Sequence, residues 1–163
     1  MVVNEEEKWE KLKVLDFLSP DAITADLQAT TKRGAFEELV ALLAKNGKVK
    51  DAPAIVDVLM KREAIGSTGI GQGIAIPHAK SDQAEEVVAA FGLSRRGLQF
   101  NSLDGEPVYI IVILVAPPTA AAQHLKTLAR ISRLLKDKFF RQSLREARSP
   151  GDIVKIIQAE DQY

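Results

Sequence analysis

The run Tyr109-Ile110-Ile111-Val112-Ile113-Leu114-Val115-Ala116 constrains the fold more than any other part of the chain. Successive side chains of a strand point to opposite faces, so a strand that is apolar at almost every position needs apolar cover on both faces. The run therefore predicts a central strand with helices packed on either side. A chain of 163 residues that is 46% hydrophobic can bury one such core, and we expect a single globular domain.

The flanking elements are legible from periodicity and punctuation. Ala22 to Leu27 reads as a first strand. Thr30 and Thr31 can cap a helix whose apolar stripe is Ala35, Phe36, Leu39, Val40, Leu42 and Leu43, and Asn46-Gly47 ends it. Asp51-Ala52-Pro53 starts a second helix that runs to Gly66, with Ile55, Leu59 and Arg62 on its inner face at i, i+4 and i+7. Val87 to Leu93 is another strand, and Leu103-Asp104-Gly105-Glu106-Pro107 is turn chemistry. After Pro117-Pro118, Thr119 can cap a helix to about Asp137 with Leu128, Ile131, Leu135 and Phe139 inside and Lys126, Arg130 and Arg133 outside. Helices near 139–147 and 151–159 close the chain. Residues 1–15, with Glu and Lys crowded around Trp9 and Leu12, read as an N-terminal arm, and the domain proper as 16–163.

Charge and composition remove several function classes. Twenty-two basic and 22 acidic residues balance, so no electrostatic footprint for nucleic acid is expected. The absence of cysteine excludes disulfides and thiolate zinc sites and suits a reducing compartment, so we expect a cytoplasmic protein. The longest apolar run, Tyr109 to Pro118, is about half of the roughly 20 residues a membrane helix needs. No direct membrane insertion is expected.

Gly66, Gly69, Gly71 and Gly73 precede Ile74-Ala75-Ile76-Pro77-His78, and only one other histidine, His124, occurs. Glycine at this density lets the backbone approach a partner closely or take positive φ, and Pro77 stiffens the chain that presents His78. A dinucleotide fingerprint does not fit, because the glycines lead into a strand rather than a helix N-terminus. Zinc does not fit either, since two histidines 46 residues apart lack a third ligand; we expect no metal and no cofactor. Ser67 and Thr68 lack the strand-turn-helix elbow of a serine hydrolase. What remains is His78 as a covalent carrier, because a neutral imidazole can take a transferred group on a free nitrogen. For phosphoryl transfer the protein must chiefly hold that nitrogen in line and offset charge on the oxygens. Arg62 is a candidate for the second task. His124 falls on the inward side of its helix, and on spacing alone it reads as a core histidine satisfied by a backbone carbonyl; beside His78 it can instead donate to a phosphoryl group.

The segment Arg62-Glu63-Ala64-Ile65-Gly66-Ser67-Thr68-Gly69-Ile70-Gly71-Gln72-Gly73-Ile74-Ala75-Ile76-Pro77-His78 closely resembles the active-site segment of the enzyme IIA domains of the bacterial phosphoenolpyruvate-dependent phosphotransferase system, fructose-mannitol class, which includes nitrogen-regulatory members. The resemblance runs from about residue 16 to 158 and includes Asp104 to Val108 and His124 to Leu128. It implies an α/β domain with a mixed sheet of about five strands flanked by helices on both faces. It also implies that His78 accepts a phosphoryl group on Nε2 from the histidine phosphocarrier protein, assisted by His124 and Arg62. The acceptor would be a regulated target protein, as in the nitrogen-regulatory members that the free-standing form favours, or an enzyme IIB in sugar transport. A non-catalytic binding module is the remaining alternative. The expected partner surface is Ile70, Gly71, Gly73, Ile74 and Ile76, and a phosphoryl group on His78 should repel a partner that packs there.

Overall fold

In the computed structural model, which describes residues 12–162, the chain forms a 3-10 turn at Val14–Asp16, then six strands and five helices. The strands are β1 (Leu18–Thr24), β2 (Gly69–Gly71), β3 (Ile74–Ala75), β4 (His78–Lys80), β5 (Val88–Leu98) and β6 (Val108–Ala116). The helices are α1 (Lys32–Lys45), α2 (Ala52–Ile65), α3 (Ala121–Leu134), α4 (Lys138–Glu146) and α5 (Pro150–Glu160).

The run at 109–116 does lie in the middle. β6 pairs antiparallel with β5 on one side and parallel with β3 and β4 on the other; β1 lies parallel to β5 at one edge, and β2 antiparallel to β3. β3 and β4 meet β6 in one register, with Ile74 opposite Ile110 and His78 opposite Leu114, so they are two parts of one strand interrupted at Ile76-Pro77. Pro77 cannot donate to a ladder, which accounts for a break without a slip. The sheet is mixed and five positions wide, as expected.

Both faces are covered. α1 and α2 pack with Ala75, Ala79, Ile111, Ile113 and Val115, while α3, α4 and α5 pack with Ile74, Ile76, Ile110, Val112 and Leu114. Phe36, Leu39, Ile55, Leu59, Phe91 and Ile110 are all at most 2% exposed, and each buried side chain of this size stabilises the fold by roughly 1.5–3 kcal/mol. The helix ends follow sequence chemistry: the Thr31 hydroxyl accepts from Gly34 N–H at 3.0 Å, the Asp51 carboxylate from Ala54 N–H at 3.2 Å, and Gly47 takes φ +70° just past the end of α1.

Several local expectations are corrected. β1 starts four residues earlier than Ala22 and contains Pro20, which an edge strand tolerates because no ladder bond is lost there. Thr119 does not cap α3; it lies inside a 3-10 turn, Pro118–Ala120, that leads into the helix. The stripe of α3 stops at Leu135, because Asp137 starts a new helix by accepting from the N–H groups of Phe139 and Phe140; Phe139 is therefore exposed and Phe140 buried. Arg130 is not outside. Its guanidinium pairs with the buried Asp161 carboxylate, which also accepts from Val14 N–H at 2.6 Å and so joins α3 to both ends of the described chain. Of the proposed arm, residues 1–11 lie outside the described residues, while Val14 is buried in the core.

Candidate active site

The glycine-rich segment folds as a tight hairpin. Gln72 and Gly73, the two residues between β2 and β3, have φ of 60° and 81°, the pair of positive values that a type I′ turn requires. At Gly69 the demand is for space, since a Cβ there would lie 2.2 Å from Ser102 Oγ. The Asp104 carboxylate accepts from Gln72 N–H and Glu106 N–H, both at 3.0 Å, and ties the 102–105 turn to the hairpin. Those backbone donors, Gln72 first, hold its pKa below the usual carboxylate value.

The hairpin feeds into Pro77 and His78. Ala79 packs with the α1–α2 layer, so alternation turns His78 and Lys80 toward the α3 side of the sheet. His78 is half-buried, and its Nδ1 lies 2.8 Å from the Ile76 carbonyl oxygen. A carbonyl oxygen only accepts, so the bond exists when Nδ1 carries the hydrogen and the ring lone pair sits on Nε2. From α3, His124 brings its ring edge-on to that of His78, with centroids 5.9 Å apart and planes at 77°. His124 is 5% exposed, and its Nε2 finds no hydrogen-bond partner among the described residues, nor does Thr127 Oγ1 one turn further along. Burial, then the positive charges available at His78 and Lys80, push the His124 pKa below its ordinary value, which favours the neutral ring.

The inner face of α2 differs from the expected stripe. Val56, Leu59 and Glu63 are buried along with Ile55, whereas Arg62 is half-buried and its Nη1 donates to the Gly66 carbonyl at 2.8 Å. Arg62 thus satisfies a carbonyl at the end of its own helix, and α2 packs on β4 from the face opposite α3. Sequence reasoning missed Glu63, although Ile55, Leu59 and Glu63 keep the same four-residue spacing. Its carboxylate accepts from Lys32 Nζ at 2.9 Å, from Thr68 N–H at 3.1 Å and from the Thr68 hydroxyl at 2.5 Å.

The expected partner surface is also corrected. Ile74 and Ile76 are 2% and 3% exposed and Gly71 and Gly73 are buried, because both faces of the sheet are covered; only Ile70, at 48%, can meet a partner. Other exposed apolar side chains lie on the elements around the histidines. Leu103 is in the turn whose N–H bonds the Gly69 carbonyl, Leu125 follows His124, and Ile65 ends α2. Among the described residues, no cluster of three or more His, Asp or Glu side chains is arranged to hold a metal ion, and no helix is long and apolar enough to cross a membrane.

The sequence and the fold that bring these two histidines together resemble those of known proteins. Residues 16–160 match the family model described as the phosphoenolpyruvate-dependent sugar phosphotransferase system, EIIA 2, and the chain belongs to that family. It is 37% identical over 146 residues to a nitrogen regulatory protein of Bradyrhizobium diazoefficiens, covering 90% of this chain and 95% of that one. It is also 37% identical over 150 residues to a fructose-specific EIIABC component of Bacillus subtilis; that match covers 92% of this chain but only 24% of the much longer relative. The crystal structure of the nitrogen regulatory protein IIA-Ntr from Neisseria meningitidis superimposes with a TM-score of 0.81 at 32% identity, over 87% of this chain and 97% of that one. The protein is an EIIA-type phosphotransferase component with close relatives in both the regulatory and the sugar-transport branches.

Proposed function

We propose that His78 is the phosphoryl-accepting residue and that the protein shuttles the group between a histidine phosphocarrier protein and a downstream partner. The observation that carries this reading is the Nδ1 contact to the Ile76 carbonyl, which leaves the Nε2 lone pair as the nucleophile. In the transfer, Nε2 forms a bond to phosphorus as the donor's phosphorus–nitrogen bond breaks and its electron pair returns to the donor ring. The product ring keeps its hydrogen on Nδ1 and gains positive charge, which the Ile76 carbonyl oxygen offsets. His124 acts as a hydrogen-bond donor from Nε2 to a phosphoryl oxygen, a contact that gives its unpartnered buried nitrogen a partner. For Arg62 to offset charge on the oxygens it must leave the Gly66 carbonyl, because α2 packs on the face opposite the two imidazoles.

For the downstream partner, the nitrogen-regulatory reading is supported by the likeness to IIA-Ntr along nearly the whole chain. A target would pack on exposed apolar groups such as Ile70 and lose affinity when His78 gains about two negative charges. Transfer to an enzyme IIB is the second reading, favoured by the fructose-specific relative. We place the protein in the cytoplasm, where phosphoenolpyruvate and the phosphocarrier proteins are found.

Intact mass after mixing the protein with phosphoenolpyruvate, enzyme I and the histidine phosphocarrier protein tests the carrier role. One acid-labile phosphoryl group that is absent from His78→Ala supports it. No uptake with a competent donor pair would leave a fold used for binding alone.

A further inference from the structure

The buried carboxylate of Glu63 has no place in the transfer step, yet a chain of hydrogen bonds joins it to the nucleophile. Three donors from two elements converge on it: Lys32 Nζ at the start of α1, and the N–H and hydroxyl of Thr68 where the hairpin begins. The Thr68 carbonyl accepts from Ile76 N–H at 3.1 Å, and the carbonyl of that same Ile76 residue accepts from His78 Nδ1 at 2.8 Å. Lys32 itself lies over the Phe100 ring, 4.5 Å from its centroid, and Phe100 is fully buried, so the cationic end of the chain is anchored in the core.

We propose that Glu63 is a positioning residue: through Thr68 and Ile76 it fixes the carbonyl that keeps the His78 hydrogen on Nδ1 and therefore the lone pair on Nε2. The chemistry requires an anion there. All three donors need acceptor lone pairs, and a carboxylate offers them on both oxygens, whereas an amide would aim its own N–H groups at the Thr68 donors or at the lysine ammonium. Burial alone would raise the Glu63 pKa, but the hydrogen bonds from the Thr68 hydroxyl, Lys32 and the Thr68 N–H outweigh it and hold the group ionised. Breaking the chain at Glu63 frees the Thr68 end of the hairpin and with it the Ile76 peptide. The ring of His78 can then exchange its hydrogen between the two nitrogens.

The inference rests on the phosphocarrier reading for its kinetic consequence but not for its structural one, and the test has two arms. In the first, ring-nitrogen NMR of the unphosphorylated protein at pH 7.5 reports the tautomer of His78. The wild type should show a protonated Nδ1 and a bare Nε2, and Glu63→Gln should move both signals toward the average of two tautomers. In the second arm, Glu63→Gln should accept the phosphoryl group about tenfold more slowly, the scale at which groups that orient a functional histidine act. Thr68→Val should move both readouts the same way and Thr68→Ser should restore them; this pair carries the test if Glu63→Gln does not fold. Unchanged His78 nitrogen signals in folded Glu63→Gln and Thr68→Val would overturn the proposal, as would an altered tautomer with an unaltered transfer rate. A wild type that takes up no phosphoryl group would refute the carrier reading and leave the tautomer arm to judge the positioning role.

Discussion

The strand side and the helix side of the site hold their imidazoles in opposite ways. On the strand side, hydrogen bonds run from Lys32 through Glu63, Thr68 and Ile76 to His78, and the His78 ring is oriented before any partner arrives. On the helix side, His124 Nε2 and Thr127 Oγ1 are both buried without a hydrogen-bond partner among the described residues. An unpaired buried polar atom costs about 1–3 kcal/mol. Under the proposed carrier role, the contrast teaches that preorganisation is concentrated on the half that would attack. The half that would stabilise the arriving charge keeps its buried polar atoms without a partner, the arrangement that transition-state complementarity favours.

Removing the proposed nucleophile should have the largest effect: His78→Ala loses phosphoryl uptake altogether, read by intact mass, while its thermal unfolding stays cooperative. Next, His124→Leu should slow phosphoryl acceptance by about a hundredfold, the scale for loss of one charge-stabilising donor. A wild-type rate in that variant would reduce the helix side to packing. The same variant tests the titration of His124. Its folded pKa lies below the ordinary histidine value of about 6.5, so the folded state binds its proton less readily than the unfolded chain. That contribution to stability is complete above the ordinary value and is lost as pH falls through it toward the lower folded value. Urea midpoints between pH 7.5 and 5.5 should therefore drop more in the wild type than in His124→Leu.

Two conservative substitutions then sharpen the contrast by stability alone. Thr68→Val removes a hydroxyl bonded to a buried carboxylate and should cost about 1.5–3 kcal/mol. Thr127→Val removes a hydroxyl with no hydrogen bond to lose among the described residues and should be neutral or stabilising by up to about 1 kcal/mol. Equal losses in chemical denaturation would erase the distinction between the two sides. The smallest effect belongs outside the comparison. Phe139→Ser, at a side chain 77% exposed, should shift stability by no more than about 0.5 kcal/mol, against roughly 3–5 kcal/mol for the buried neighbour in Phe140→Ala.

Much of this architecture could be read from the chain because its signals are local. The two-faced apolar run defined β6, Thr31 and Asp51 marked helix starts, and Asn46-Gly47 marked a helix end. His78 stood out because glycine, proline and histidine in that order have few structural uses. The parts that were not legible depend on tertiary pairing. Arg130 reads as a surface charge on a helical wheel until Asp161, 31 residues away, is folded against it. Phe139 and Phe140 exchange roles because Asp137 restarts the helix and resets the face. Glu63 was passed over because a carboxylate on a buried stripe looks wrong without the lysine and threonine that meet it. Ile74 and Ile76 were expected to meet a partner, but a sheet covered on both faces gives a two-residue strand no free side.

The Asp161 clasp has a consequence for how the chain can be rearranged. By holding Val14 against the end of α5, it places the two ends of the described fold at one corner, beside the arginine of the helix that carries His124. A short linker could join them, and new ends could be opened between the exposed Gly47 and Lys48, where Gly47 has nothing crowding its α-carbon. Such a circular permutant would retain the sheet and both imidazoles while reversing which half of the domain emerges first from the ribosome.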